Sequence, residues 1–172
     1  MKRHFCLWAV VLLFVACTRQ LPQASYDIIP QPKEVRLSEE KPFTLQEKTM
    51  VYYENGLQRE AQFLSEYIND IMGYALKTQE YQGQPNGIVL KLVPENFAQA
   101  EAYEIDITPK QITVKGADAA GVFYGIQTLR KSLSVSPIDS SQPTGQPRND
   151  MGEPDSKLST LNSQLPSGTI RD

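Results

Sequence analysis

Histidine and cysteine are almost missing from this 172-residue chain: His4, Cys6 and Cys17 are the full set, all before residue 18. A Ser–His–Asp or Cys–His relay needs an imidazole to carry the proton, and zinc sites are built mostly from His and Cys, so neither chemistry has its side chains downstream of Cys17. A strong excess of one charge is missing too. Lys and Arg number 17 against 20 Asp and Glu, a formal net charge of −3, which argues against a polyanionic partner such as nucleic acid. Carboxylates remain, and paired carboxylates hydrolyse glycosides, yet no Asp adjoins a Glu anywhere in the chain. No catalytic residue, metal ligand set or cofactor is therefore expected.

What is present begins with an address. Lys2 and Arg3 precede an apolar run from Phe5 to Ala16, which is the charged start and short hydrophobic stretch of a secretory signal and too short for a bilayer span. The run closes with Leu13-Phe14-Val15-Ala16-Cys17, which resembles a bacterial lipoprotein box with Phe14 in place of the usual Leu. Residues 1–16 read as a signal peptide, Cys17 as the lipidated residue and 17–25 as a tether. An ordinary signal peptide or a signal anchor is the alternative. Loss of Lys2 and Arg3 would take the net charge from −3 to about −5. The expected location is the bacterial envelope, with a lipid anchor as the membrane contact and the membrane face left open.

Periodicity then reads as α+β. Tyr26 to Pro32 is extended, because each proline disfavours helix at the residue before it. Val35, Leu37, Phe43 and Leu45 alternate in short pieces, and Met50 to Tyr53 predicts a strand near a sheet edge. Leu57, Ala61, Leu64, Ile68 and Ile71 fall at helical spacing, with Asn55 as N-cap, Gln58 reaching back and Gly73 as the stop. Residues 88–93 predict a central strand. Tyr103, Ile105 and Ile107, a turn at Thr108-Pro109-Lys110, and Ile112 with Val114 predict a hairpin.

A second helix is predicted from about Ala117 to Leu133, with Ala119, Val122, Phe123, Ile126, Leu129 and Leu133 as its apolar stripe. Its other side carries Gly121, Gly125, Thr128 and Ser132 where a surface helix would show Lys and Glu. A mid-helix Gly costs about 1 kcal/mol relative to Ala, so two on one face imply the close approach of another backbone. The stripe is read as facing a partner outside the domain; packing onto the domain's own sheet is the alternative. Residues 134–164 are polar and low in complexity, a linker, and 165–172 are extended again.

The run from Tyr103 to Leu129, and above all Gly121-Val-Phe-Tyr-Gly-Ile-Gln-Thr-Leu129, resembles the N-terminal domain of glycoside hydrolase family 20, the β-N-acetylhexosaminidases. Ile29-Pro30-Gln31-Pro32 resembles that family's opening, and the likeness covers about 26–133. It implies a mainly antiparallel sheet with two helices on one face, sandwiched against a catalytic (β/α)8 barrel. It also implies that the barrel holds the Asp-Glu pair acting on N-acetylhexosamine glycans, and that 165–172 start the connection into that barrel, with the chain stopping short of it. The expected function is that of an inactive accessory domain. The alternatives are a helper domain of another barrel glycosidase or a free-standing lipoprotein binding glycans or a protein, with Tyr52, Tyr53, Tyr67, Tyr74 and Tyr81 as candidate contacts.

Overall fold

The computed structural model describes residues 24–134 and 163–172; the signal, Cys17, most of the tether and nearly all of the polar linker lie outside them. Among these described residues nine strands and two α-helices follow in the order β1 (Glu34–Leu37), β2 (Phe43–Thr44), β3 (Met50–Tyr53), α1 (Gln58–Met72), β4 (Lys77–Glu80), β5 (Gly87–Leu92), β6 (Tyr103–Ile107), β7 (Gln111–Gly116), α2 (Ala119–Ser134), β8 (Gln164–Leu165) and β9 (Gly168–Arg171). Seven strands form one sheet in the order β1-β9-β6-β7-β5-β3-β4, and β2 pairs with β8 apart from it. The fold is α+β, as expected. Four of the seven strand pairings are antiparallel, whereas β3–β4, β3–β5 and β5–β7 are parallel. Parallelism enters because α1 carries the chain from β3 back to the same end of the sheet for β4, a crossover that no tight turn could make.

Both helices lie on one face of the sheet. Val51, Ile88, Leu90, Ile105, Ile112, Val114 and Ile170 share that face by register and are all buried. Against them α1 sets Leu57, Ala61, Leu64 and Ile68, and α2 sets Val122, Ile126, Leu129 and Leu133. Each buried large aliphatic chain contributes about 1.5–3 kcal/mol relative to exposure, so this layer is the main source of stability.

Helix ends are set partly by residues other than those expected. α1 stops at Gly73, which is left-handed with φ 76° and whose N–H donates to Asn69 O. Asn55 does not cap its start: it lies with Gly56 in a turn closed by Leu57 N–H donating to Glu54 O at 3.0 Å, and no side chain caps the helix. α2 begins beyond Asp118, whose Oδ1 accepts from Gly121 N–H at 2.8 Å and whose Oδ2 accepts from Glu101 N–H at 3.1 Å. That carboxylate fixes the helix to the loop before β6 and suits the positive end of the helix dipole.

The segment after 163 belongs to this domain. β9 lies between β1 and β6 and hydrogen-bonds on both sides, pairing Ile170 with Val35 and Ile105. The expectation of a domain ending at 133, with 165–172 as a mere connection, thus misses two strands. The short alternation Gly168-Thr-Ile-Arg171 carried the signal, but only register against β1 and β6 shows that a gap in the sheet awaits it.

On the opposite face of the sheet Val89 is buried beside Tyr52, and the side chains of β6, β7 and β9 are polar. Lys115 Nζ reaches Glu104 Oε1 at 2.9 Å and also contacts Asp106; Arg171 Nε donates to Glu104 Oε2 at 2.9 Å, and Thr169 Oγ1 donates to Asp106 Oδ1 at 2.9 Å. Burial alone would raise the Glu104 pKa, but hydrogen bonds from Lys115 and Arg171 hold it below the ordinary glutamate value.

Candidate docking face

The small-residue stripe of α2 faces inward, which corrects the expectation that it meets an outside partner. A Cβ on Gly121 would lie 2.4 Å from Ala102 O, and one on Gly125 would lie 2.6 Å from Val114 Cγ1 and 3.3 Å from the Tyr103 ring. The backbone that approaches closely is the domain's own. Thr128 and Ser132 are buried on the same side; Tyr103 and Thr128 share a hydroxyl–hydroxyl bond of 2.6 Å, and Ser132 Oγ donates to Thr128 O at 2.8 Å. Burial raises the Tyr103 pKa, partly offset by that bond with Thr128, so the phenol stays neutral across the physiological range.

With the stripe turned inward, α2 presents a different set outward. Ala120, Phe123, Tyr124, Gln127 and Lys131 recur at spacings of three and four residues and form the helix's outer side. Phe123 is 36% exposed and Tyr124 44%, among the few large hydrophobic residues left uncovered. Phe123 was expected in the core stripe. The true core line is Val122, Ile126, Leu129 and Leu133, and Phe123, one position round from Val122, is rotated out of it.

Neighbouring elements extend this surface. Phe63 of α1 meets Phe123 at a tilt of 48° with ring centroids 5.3 Å apart, and Phe123 meets Tyr124 edge-on at 6.1 Å. Tyr67 OH donates to Arg130 O at 3.2 Å, and the Arg130 guanidinium lies 5.0 Å from the Tyr67 ring centre. Ile29 is 89% exposed and is held by Lys131 Nζ donating to its carbonyl oxygen. Between Pro30, Tyr124, Gln127 and Lys131 runs a cleft of about 410 Å³, floored by Tyr103 and Thr128. Rigid aromatic rings beside an aliphatic side chain, framed by cationic and amide groups, suit a protein surface better than a small solute.

The five tyrosines considered for glycan contact do not gather into one platform. Tyr67 is engaged by Arg130, Tyr81 lies under Lys91 Nζ at 4.4 Å, and Tyr53 and Tyr74 pack against the core. Among the described residues no group of three or more His, Cys, Asp or Glu could hold a metal ion, and no helix is long and apolar enough to cross a membrane. Cys17, the expected lipidation site, lies outside the described residues.

A mixed sheet covered on one face by two helices, with Phe123 and Tyr124 left exposed on α2, defines a small α+β domain. The chain belongs to glycosyl hydrolase family 20: the family model for its domain 2 matches residues 25–172. That match takes in β8 and β9, in keeping with their place in the sheet. In this family the domain sits with a catalytic barrel in the same chain, and this chain is the non-catalytic α+β part.

Solved structures agree. The β-N-acetylhexosaminidase of Streptomyces coelicolor A3(2) is 27% identical with a TM-score of 0.57, over 84% of this chain and 26% of that one. The β-N-acetylhexosaminidase of Bacteroides fragilis NCTC 9343 is 23% identical with a TM-score of 0.55, over 84% of this chain and 24% of that one. An exo-β-N-acetylglucosaminidase of Vibrio harveyi, solved with N-acetylglucosamine, shares the fold at 17% identity and a TM-score of 0.59, over 84% of this chain and 18% of that one. The chain therefore spans about a quarter or less of the length of these solved relatives. No curated protein matches its sequence.

Proposed function

We propose that this domain supports the catalytic barrel of a β-N-acetylhexosaminidase, acting on glycans ending in N-acetylhexosamine, by packing the outer side of α2 and the flank of α1 against it. The observation that carries this is the contrast between the two sides of α2: the inner one is closed on the sheet to the limit that glycine allows, while the outer one leaves Phe123 and Tyr124 uncovered. Aromatic side chains at the centre of an interface contribute disproportionately to its affinity, and here Phe123 meets Phe63 while Tyr124 shares a cleft with Pro30. The chemistry belongs to the barrel, because the described residues offer neither a nucleophile–base pair nor a metal site. Cys17, acylated, would tether the assembly to the bacterial envelope.

A chimera tests this reading. The Streptomyces coelicolor enzyme is made with the region matched by this chain removed, and again with this chain in its place. The replacement is expected to restore soluble enzyme that turns over a chromogenic N-acetylglucosaminide, whereas this chain alone shows no turnover. Phe123→Glu with Tyr124→Glu in the chimera is expected to lower its thermal midpoint by several degrees. An unchanged midpoint and rate in the double variant would remove the basis for placing the barrel on this face.

A further inference from the structure

The two ends of the sheet differ in charge and in the chain that meets them. Strand register assigns each residue to an end. Ala24 N–H donates to Gln164 O, Gln164 pairs with Thr44, and Thr44 shares an open cleft of about 530 Å³ with Lys48, Asn86 and Lys110. Met50 pairs with Lys77, and Gly87 N–H donates to Lys110 O. Lys48, Lys77 and Lys110 thus stand at the end of the sheet where the chain arrives from Cys17. All three are exposed, and none forms an ion pair among the described residues.

Carboxylates also occur at this end: Glu47 lies beside Lys48 and Lys77, Asp70 is in the last turn of α1, Asp27 follows Ala24 by three residues, and Glu39 and Glu40 sit in the loop leaving β1 with Lys41 next to them. The opposite end is far more acidic. Glu54 follows β3, Glu80 ends β4, Glu95 follows β5, Glu101 precedes β6, Asp118 follows β7 and Asp172 follows β9. Against them stand Lys33, which pairs with Asp172 at 3.4 Å, Arg171, which is committed to Glu104, Lys91 near the end of β5 and Arg59 beside Glu60 in the first turn of α1. The domain therefore carries a charge gradient along its strands, negative at the Asp172 end and close to neutral at the Ala24 end, where the unpaired lysines cluster.

Seven residue steps separate Cys17 from Ala24, a span of at most about 25 Å when fully extended. We propose that the end of the sheet bearing Lys48, Lys77 and Lys110 is a docking surface for an anionic lipid bilayer, with the Asp172 end held away from it. The inference rests on anchoring at Cys17. Given that anchor, the tether brings this end within reach of the headgroups. A negative surface potential attracts lysines and repels carboxylates within a Debye length of about 10 Å, so both ends drive the same orientation.

The test uses the chain from Cys17 to Asp172, in which Cys17 is the single thiol. It is coupled through that thiol to a maleimide lipid in vesicles of phosphatidylcholine alone or with phosphatidylglycerol, and lysine acetylation is followed by mass spectrometry. On the anionic vesicles Lys48, Lys77 and Lys110 are expected to react about threefold more slowly than on neutral ones, with Lys33 and Lys91 unchanged, and about 0.5 M salt should abolish the difference. In Lys48→Gln with Lys77→Gln, protection of Lys110 should fall. Equal reactivity on the two vesicle types, or equal slowing at both ends of the sheet, overturns the proposal. So does equal protection by a soluble sulfated polysaccharide, which would assign the lysines to a glycan. The chemical anchor makes this result independent of native acylation. That is read separately by fatty-acid labelling lost in Cys17→Ser; no labelling would overturn the anchor while the footprint still decides the surface.

Discussion

Gly125 shows how far a single missing side chain can be interpreted. Two glycines four residues apart on a helix announce close approach by some backbone, and the sequence carries that much without ambiguity. What approaches is a tertiary matter: at Gly121 it is the backbone of Glu101 and Ala102, while at Gly125 the side chains of Val114 on β7 and Tyr103 on β6 fill the space a methyl would need. Gly125→Ala should therefore destabilise the isolated chain by about 1–3 kcal/mol through overpacking, despite its better helix propensity. Urea unfolding of the chain without any barrel measures this, and a stabilised variant would return the glycine to an outward role. Thr128 and Ser132 follow the same logic: in sequence they read as part of a stripe facing an outside partner, and Tyr103 and the α2 backbone supply their buried partners instead.

At the scale of elements, β9 is the instructive case. Gly168-Thr-Ile-Arg171 alternates like a strand, but a long polar stretch separates it from α2, and local pattern cannot place it in the middle of a sheet. Two features bind it there. Gly168 has no room for a side chain, since a Cβ would sit 2.2 Å from Arg36 O, and Arg171 joins Lys115 and Asp106 around Glu104 to tie β9, β6 and β7 together. Because the folded Glu104 pKa lies below its ordinary value of 4.5, its stabilisation is complete above that value and is lost as pH falls through the folded pKa. Glu104→Gln should lower stability by about 1 kcal/mol at pH 7, with the gap from the parent closing as pH falls below the ordinary glutamate value and through the folded one. Denaturation midpoints across that pH range give the answer, and a gap that widened in acid would contradict the cluster's role. By contrast, the central strand β5, the β6–β7 hairpin and the glycine that ends α1 were legible, because each depends on residues close in sequence.

For the whole molecule the question is what covers Phe123 and Tyr124. An apolar patch of aromatic rings on a small acidic domain tends to find another apolar surface, and without a barrel that is a second copy. The chain is expected to self-associate as its concentration rises through the micromolar range, and Phe123→Lys with Tyr124→Lys to remain monomeric under the same conditions. Sedimentation velocity distinguishes the two, and a parent chain that stays monomeric throughout would show that the face needs no cover. The docking face was only partly visible in advance, since period 3.6 places Phe123 equally well at the margin of the core stripe or just outside it.

The amino-acid sequence by itself determined the absence of His and Cys beyond Cys17, the two amphipathic helices, the hairpin and the family resemblance, all of which rest on residue type or on periodicity over a few turns. The tertiary structure alone decided that the glycine stripe faces inward, that Phe123 and Tyr124 face outward, and that β9 fills the sheet. Those outcomes depend on which of two helix sides meets the sheet and on pairings between residues more than sixty apart, neither of which local sequence encodes.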